Sequence, residues 1–108
     1  MVIVMLFNNS KALSFLLKNK IVATLRNRRY RVGQYVLIKV MRCGVARVIG
    51  IGQVVEVHEV TEENLRKFYK ISGFSSPEEW LQAYRRISKS RSPKFIYVIK
   101  LLKLKSYE

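Results

Sequence analysis

Apolar residues recur at every second position in several short stretches of this 108-residue chain, and this period of two constrains the fold most. Such alternation places successive side chains on opposite faces of a β-strand. We predict one helix after the first strand and two before the last, in the order β-α-β-β-β-α-α-β. The predicted strands cover residues 2–7, 21–26, 35–41, 46–60 and 95–104. Many short strands with helices set apart favour a single α+β domain over residues 1–108, a mixed sheet curled into a small β-barrel flanked by helices.

Residues that cap helices or interrupt strands refine this outline. Thr61 can cap the second helix, and Ser76-Pro77-Glu78-Glu79 reads as a capping box with proline at the first helical position. Gly50 and Gly52 interrupt the fourth strand, which predicts a bulge or a close approach of a neighbouring backbone.

The charge of the chain is strongly positive and unevenly distributed. The formal net charge is +14, from 21 Lys and Arg against seven acids, and residues 1–55 hold ten basic residues and no acid. Such an excess repels itself in a compact state and suits a polyanionic partner. We therefore expect nucleic acid as the partner, with an anionic membrane surface as a weaker fit. The structural alternative is a generic basic surface of the kind that a thermophilic protein carries.

The stretch from Asn19 to Gln34 is the candidate site. Thr24 and Arg26 lie two residues apart on one face of the second predicted strand, and a basic loop follows directly. Guanidinium groups suit phosphate, and an unstacked base near Thr24 and Arg26 would add selectivity. The candidate RNA-binding residues are Lys20, Thr24, Arg26, Arg28, Arg29, Tyr30, Arg31, Lys39, Arg42, Arg47 and Arg91.

The element order and these residues resemble the ASCH domains, a branch of the PUA-like barrels. Arg26 matches the arginine of their signature, Thr24 takes the glutamate position that threonine fills in some members, and Val32-Gly33-Gln34-Tyr35-Val36 is similar to their turn into the next strand. The closing segment 95–99 is also similar. The resemblance implies a PUA-like barrel with a cleft that holds RNA or a modified nucleoside. It makes RNA the expected partner, ahead of DNA.

The resemblance also implies an enzymatic alternative. Some ASCH members deacetylate acetylated cytidine with a lysine, a threonine and a glutamate, and others are reported to be ribonucleases. Here Thr24 matches, but Ile21 stands at the lysine position and no acid lies around Ser72–Phe74. Because a nucleophile needs a base within reach, we predict a binding protein rather than an enzyme. If the protein is an enzyme, Thr24 is the catalytic candidate. Lys20 would join it if a bulge in the strand turned the lysine side chain to the same face as Thr24.

Other classes fit the sequence less well. A single cysteine, Cys43, and a single histidine, His58, argue against a disulfide framework and a zinc site, and no cofactor is expected. The apolar run at residues 1–7 is too short to span a membrane, so we expect a cytoplasmic protein. A DNA- or protein-binding regulator is the second alternative. The sequence contains no basic recognition helix that would favour it. The oligomeric state is left open.

Each candidate also has a structural interpretation. Arg26 could pair with Glu56 or Glu59 across the sheet, and Thr24 could serve only as a good strand former. Trp80 and Tyr84 lie at helical spacing on the third predicted helix, which indicates core residues.

Overall fold

The strands and helices of the computed structural model, which describes residues 3–87 and 92–105, occur in the predicted order. They are β1 (Ile3–Phe7), α1 (Ser10–Asn19), β2 (Ile21–Arg26), β3 (Tyr35–Arg42), β4 (Val45–Glu59), α2 (Glu62–Phe68), a 3-10 helix (Tyr69–Ile71), α3 (Pro77–Ile87) and β5 (Phe95–Leu104). The predicted first residue of β1, Val2, lies outside the described residues. Across residues 3–87 and 92–105, no helix is both long enough and apolar enough to cross a membrane.

The five strands form one mixed sheet in the order β1-β3-β4-β5-β2. β1 runs parallel to β3, and the other neighbours are antiparallel. The sheet is a curled half-barrel, so the expected barrel does not close by strand pairing and β1 and β2 remain its two edges. Helix α1 packs Ala12 and Leu16 into the core that both edge strands share.

The two faces of β2 and β5 bury two separate apolar clusters. On β5, Tyr97 and Ile99 face the first cluster, whereas Ile96 and Val98 face the second, and all four are fully buried. The first cluster also takes side chains from α1, β1 and β3, and the second takes them from α2 and α3. β5 is therefore a central strand that is covered on both sides, which explains its nearly continuous apolar sequence.

The glycines of β4 sit where the pairing changes register, as predicted. The β3–β4 register shifts between Ile38 and Lys39, opposite Gly50, and the β4–β5 register shifts beside Gly52. A Cβ on Gly50 would collide with the backbone carbonyl oxygen of Lys103. β4 can therefore follow the curl of the sheet only because these positions lack side chains.

Side-chain caps begin the helices close to where the sequence indicated. The Thr61 hydroxyl accepts from the Asn64 amide at 3.0 Å, and the Ser76 hydroxyl accepts from the Glu79 amide at 3.0 Å. The second half of the capping box is displaced by one residue, because Glu79 accepts from the amide of Ser75 rather than Ser76. That hydrogen bond lowers the pKa of Glu79, with a further contribution from Lys11 of α1.

Candidate functional site

A cavity of about 260 Å³ opens where the end of β2, the turn between β1 and α1, and helix α3 meet. It lies at the gap between the two edge strands of the half-barrel. Its wall is formed by Leu6, Phe7, Asn8, Asn9, Ala12, Ala23, Thr24, Leu25, Arg26, Asn27, Arg28, Tyr30, Phe74, Trp80, Ala83, Tyr84 and Ile87. Cavities of this kind, mostly apolar with a few polar groups, are the usual sites for small ligands and single chemical groups.

Arg26 connects the two edge strands from inside this cavity. Its Nε donates to the Thr24 hydroxyl oxygen at 3.1 Å, and its Nη1 donates to the backbone carbonyl of Leu6 on β1 at 2.7 Å. The sequence prediction that Thr24 and Arg26 share a strand face is confirmed by the first of these bonds. The second joins residues 20 positions apart across the open side of the sheet.

The guanidinium of Arg26 has no carboxylate partner among the described residues. The ion pairs found within residues 3–87 and 92–105 join Lys11 to Glu79, His58 to Glu56, and Arg66 to Glu62. The alternative in which Arg26 pairs with Glu56 or Glu59 is therefore wrong. Burial lowers the pKa of Arg26 from its ordinary value, while the phenols of Tyr30 and Tyr84 act in the opposite direction. Arginine stays protonated under such shifts, so the cavity holds a half-buried positive charge.

Aromatic rings surround this charge. The Arg26 guanidinium lies 4.9 Å from the centre of the Phe7 ring, and Tyr30, Trp80 and Tyr84 line the same cavity. Trp80 is buried in the second core cluster, as its helical spacing predicted, and it also forms part of the cavity wall. The sequence signal for this aromatic wall was the spacing of Trp80 and Tyr84, which lie four residues apart and therefore on one face of α3. Helical periodicity alone could not show that their side of α3 faces an open cavity.

Tyr97 of β5 anchors the backbone of the basic loop between β2 and β3 through two hydrogen bonds. The Tyr97 hydroxyl accepts from the Tyr30 amide at 2.8 Å and donates to the Arg28 carbonyl at 2.9 Å. Burial raises the pKa of Tyr97, which keeps the phenol neutral and able to donate. The Gln34 side chain closes the far end of the loop by accepting from the Arg31 amide at 3.0 Å. The arginine side chains thus project from an ordered backbone.

A Tyr97→Phe variant tests this anchor. We expect its free energy of unfolding to fall by about 1–3 kcal/mol, because the buried Tyr30 amide and the Arg28 carbonyl lose their partner. Chemical denaturation of both proteins measures the difference. Tyr69→Phe is the matched control, since no hydrogen bond joins the Tyr69 hydroxyl to the described residues. Equal stability of Tyr97→Phe and the parent protein would show that the hydroxyl does not support the loop.

The loop arginines extend the positive charge from the cavity to its surroundings. Arg28 lines the cavity, and Arg29 and Arg31 are exposed on the same loop. Tyr30, one of the candidate RNA-binding residues, is buried beneath the loop. It is only 7% exposed and packs edge-on against Tyr97, with ring centroids 5.1 Å apart. The Tyr30 ring fills the core beneath the loop and also forms part of the cavity wall.

The remaining candidates lie away from the cavity. Lys20 is the left-handed C-cap of α1, with φ 64°, and its exposed side chain does not line the cavity beside Thr24. The bulge that would bring Lys20 round is absent from the β2–β5 pairing, which is regular over Ile21–Arg26. Lys39 and Arg47 lie on β3 and β4 outside the cavity wall. The Arg42 side chain and the whole of Arg91 lie outside the described residues.

The fold and this cavity together define an α+β half-barrel protein with a positively charged surface cavity. No family model matches the chain. The chain belongs to the same family as Uncharacterized protein 105 of Sulfolobus islandicus rod-shaped virus 1. The two are 36% identical over 85 residues, which cover 77% of this chain and 76% of the viral protein. That name states no activity, so the relationship alone assigns no function.

Proposed function

We propose that this protein is a PUA-like, ASCH-type domain that binds single-stranded or structured RNA. One unstacked base enters the cavity beside Thr24 and Arg26, and the loop arginines contact the phosphates on either side. The observation that carries the proposal is the half-buried guanidinium of Arg26, which lines an aromatic-walled cavity without a carboxylate partner among the described residues.

Physical chemistry supports this assignment in two ways. Taking a charge out of water is costly, and Arg26 recovers only part of that cost through the Thr24 hydroxyl and the Leu6 carbonyl. A ligand that accepts its remaining N–H groups would recover more. RNA-binding proteins also read bases best where these are splayed out and stacked on aromatic side chains.

Phosphate contacts account for the charge around the cavity. Arg28, Arg29 and Arg31 project from one ordered loop at residues 27–34, and Arg28 reaches the cavity wall. A base in the cavity would place its sugar and phosphates at the opening, beside this loop. The proposal thus gives one role to the loop and a different role to the cavity.

The enzymatic alternative is less well supported by the geometry. The described residues that line the cavity include arginines, amides and hydroxyls, but they include no Asp, Glu, Lys or His to serve as a base for Thr24. The hydroxyl oxygen of Thr24 also accepts from Arg26. Incubation with acetylated cytidine and with labelled RNA, with and without divalent metal, tests this alternative. Turnover that Thr24→Ala abolishes would overturn the binding-only proposal.

Equilibrium binding of a labelled single-stranded RNA at several salt concentrations tests the proposed function itself. Each phosphate that a protein neutralises on a single strand contributes about −0.7 to the slope of log K against log salt, so three loop arginines predict a slope of about −2 or steeper. Duplex DNA should compete poorly. Competition by duplex DNA as strong as that of single-stranded RNA would favour the DNA-binding alternative and contradict the proposal.

A further inference from the structure

The polar groups at the centre of the cavity are hydrogen-bond donors. A guanidinium carries five N–H donors, and Arg26 gives one to Thr24 and one to Leu6. None of the described residues accepts the other three. The Thr24 hydroxyl oxygen accepts from Arg26, and none of the described residues accepts the hydroxyl hydrogen, so this hydrogen is available to an occupant of the cavity. An occupant should therefore present acceptors to this end of the cavity.

The geometry points to guanine as the base that this cavity selects from single-stranded RNA, an inference that rests on the function proposed above. Guanine presents two adjacent acceptors, N7 and O6, which match the fork of a guanidinium. Adenine places an amino donor beside its N7, which would face the Arg26 donors and leave them unpaired, at a cost in free energy. Cytosine also has two adjacent acceptors, N3 and O2, but its single ring covers less of the aromatic wall than a purine does. Uracil offers O4 without a second acceptor beside it.

The other features of the cavity suit a planar base. Its volume of about 260 Å³ lies just below the range of roughly 300–1,000 Å³ for small-molecule sites, which suits one base rather than a larger ligand. Phe7, Trp80 and Tyr84 supply apolar aromatic surface around Arg26. Arg28 lies at the same wall, where it can contact the phosphate of the inserted nucleotide.

Seven-nucleotide RNAs test the assignment. Each is built from adenosine and uridine, and the central residue is guanosine, inosine, 7-deazaguanosine, adenosine, uridine or cytidine. Inosine keeps both N7 and O6, whereas 7-deazaguanosine lacks N7. We expect guanosine and inosine to bind equally, and 7-deazaguanosine, adenosine and uridine to bind about tenfold more weakly, as the loss of a bidentate arginine contact predicts. The cytidine oligomer should bind more weakly than the guanosine oligomer, because its smaller ring loses stacking area. Fluorescence anisotropy measures each dissociation constant.

An Arg26→Lys variant tests whether base selection depends on the paired N–H donors of the Arg26 guanidinium or only on its positive charge. Lysine keeps the positive charge but cannot present two fixed, parallel donors. We expect this variant to bind the guanosine and adenosine oligomers with similar affinity, close to that of the parent protein for the adenosine oligomer. Arg66→Lys is the control and should keep the full preference, because Arg66 pairs with Glu62 on α2 and does not line the cavity.

The outcomes distinguish this inference from the function on which it rests. Equal binding of all six oligomers to the parent protein, or binding of the uridine or cytidine oligomer as tight as that of the guanosine oligomer, would overturn the guanine assignment and leave RNA binding intact. If none of the oligomers binds, both the proposed RNA-binding function and the guanine assignment are wrong. A guanosine preference that survives Arg26→Lys would show that a different group reads the base.

Discussion

An Arg26→Met variant is expected to bind single-stranded RNA about 30-fold more weakly than the parent protein. Hydrogen bonds to charged groups contribute about 1.5–3 kcal/mol, and 1.4 kcal/mol corresponds to a tenfold change in affinity. Methionine keeps an unbranched side chain, two bonds shorter than that of arginine, and removes the charge and all the donors. Fluorescence anisotropy with one oligomer of fixed length at fixed salt measures the change.

The stability of the same variant distinguishes a binding residue from a purely structural one. The Leu6 carbonyl loses its Arg26 partner, which costs about 1–3 kcal/mol if it stays buried. The variant no longer buries a positive charge without a carboxylate partner, and this gain offsets part of the loss in stability. We therefore expect a modest fall in the free energy of unfolding beside a large fall in affinity. A large loss of stability with unchanged affinity would show that Arg26 serves only to join β1 to β2. Arg66→Met controls for the loss of one positive charge.

Replacing Arg28, Arg29 and Arg31 together by alanine is expected to weaken binding to every single-stranded RNA about 100-fold. Each contact is taken as about 1 kcal/mol, and the slope of log K against log salt should become shallower by about 2. The reduction should be similar for all sequences, because phosphate contacts carry no base information. Salt titrations of the variant and the parent protein measure both quantities.

The control for this triple variant removes three positive charges elsewhere. Arg66, Lys67 and Lys70 belong to α2 and the 3-10 helix that follows it, and none of them lines the cavity. Because these side chains belong neither to the cavity wall nor to the loop, and salt screens long-range charge effects, their replacement by alanine should change the affinity less than about threefold. If the loop variant also stays within threefold of the parent protein, the loop is not the RNA contact.

The sequence predicted those features that depend on local periodicity and capping. Alternation in residues 21–26 correctly placed Thr24 and Arg26 on one face, and Thr61 and Ser76 correctly marked the starts of two helices. Gly50 indicated a close approach that the structure places against Lys103. Each of these features follows from neighbours in the chain or from the absence of a side chain.

The features that build the cavity depend on contacts between distant residues. The Arg26 bond to Leu6 spans 20 positions, and the Tyr97 bonds to Tyr30 and Arg28 span 67 and 69. Local pattern cannot show which carbonyl a long side chain reaches, or that Tyr30 turns inward towards Tyr97. It also could not show that the sheet stays open between β1 and β2, which is what leaves room for the cavity.

The central claim is that RNA places a base in the cavity between the sheet edges and α3. A nitrogen-15 NMR titration with a short single-stranded RNA tests it most directly, because Trp80 is the single tryptophan of the chain and its indole N–H signal needs no further assignment. The account predicts that the Trp80 indole and Arg26 Nε signals both shift and saturate with the dissociation constant measured by anisotropy. RNA binding that leaves both signals unchanged while other surfaces respond would contradict it.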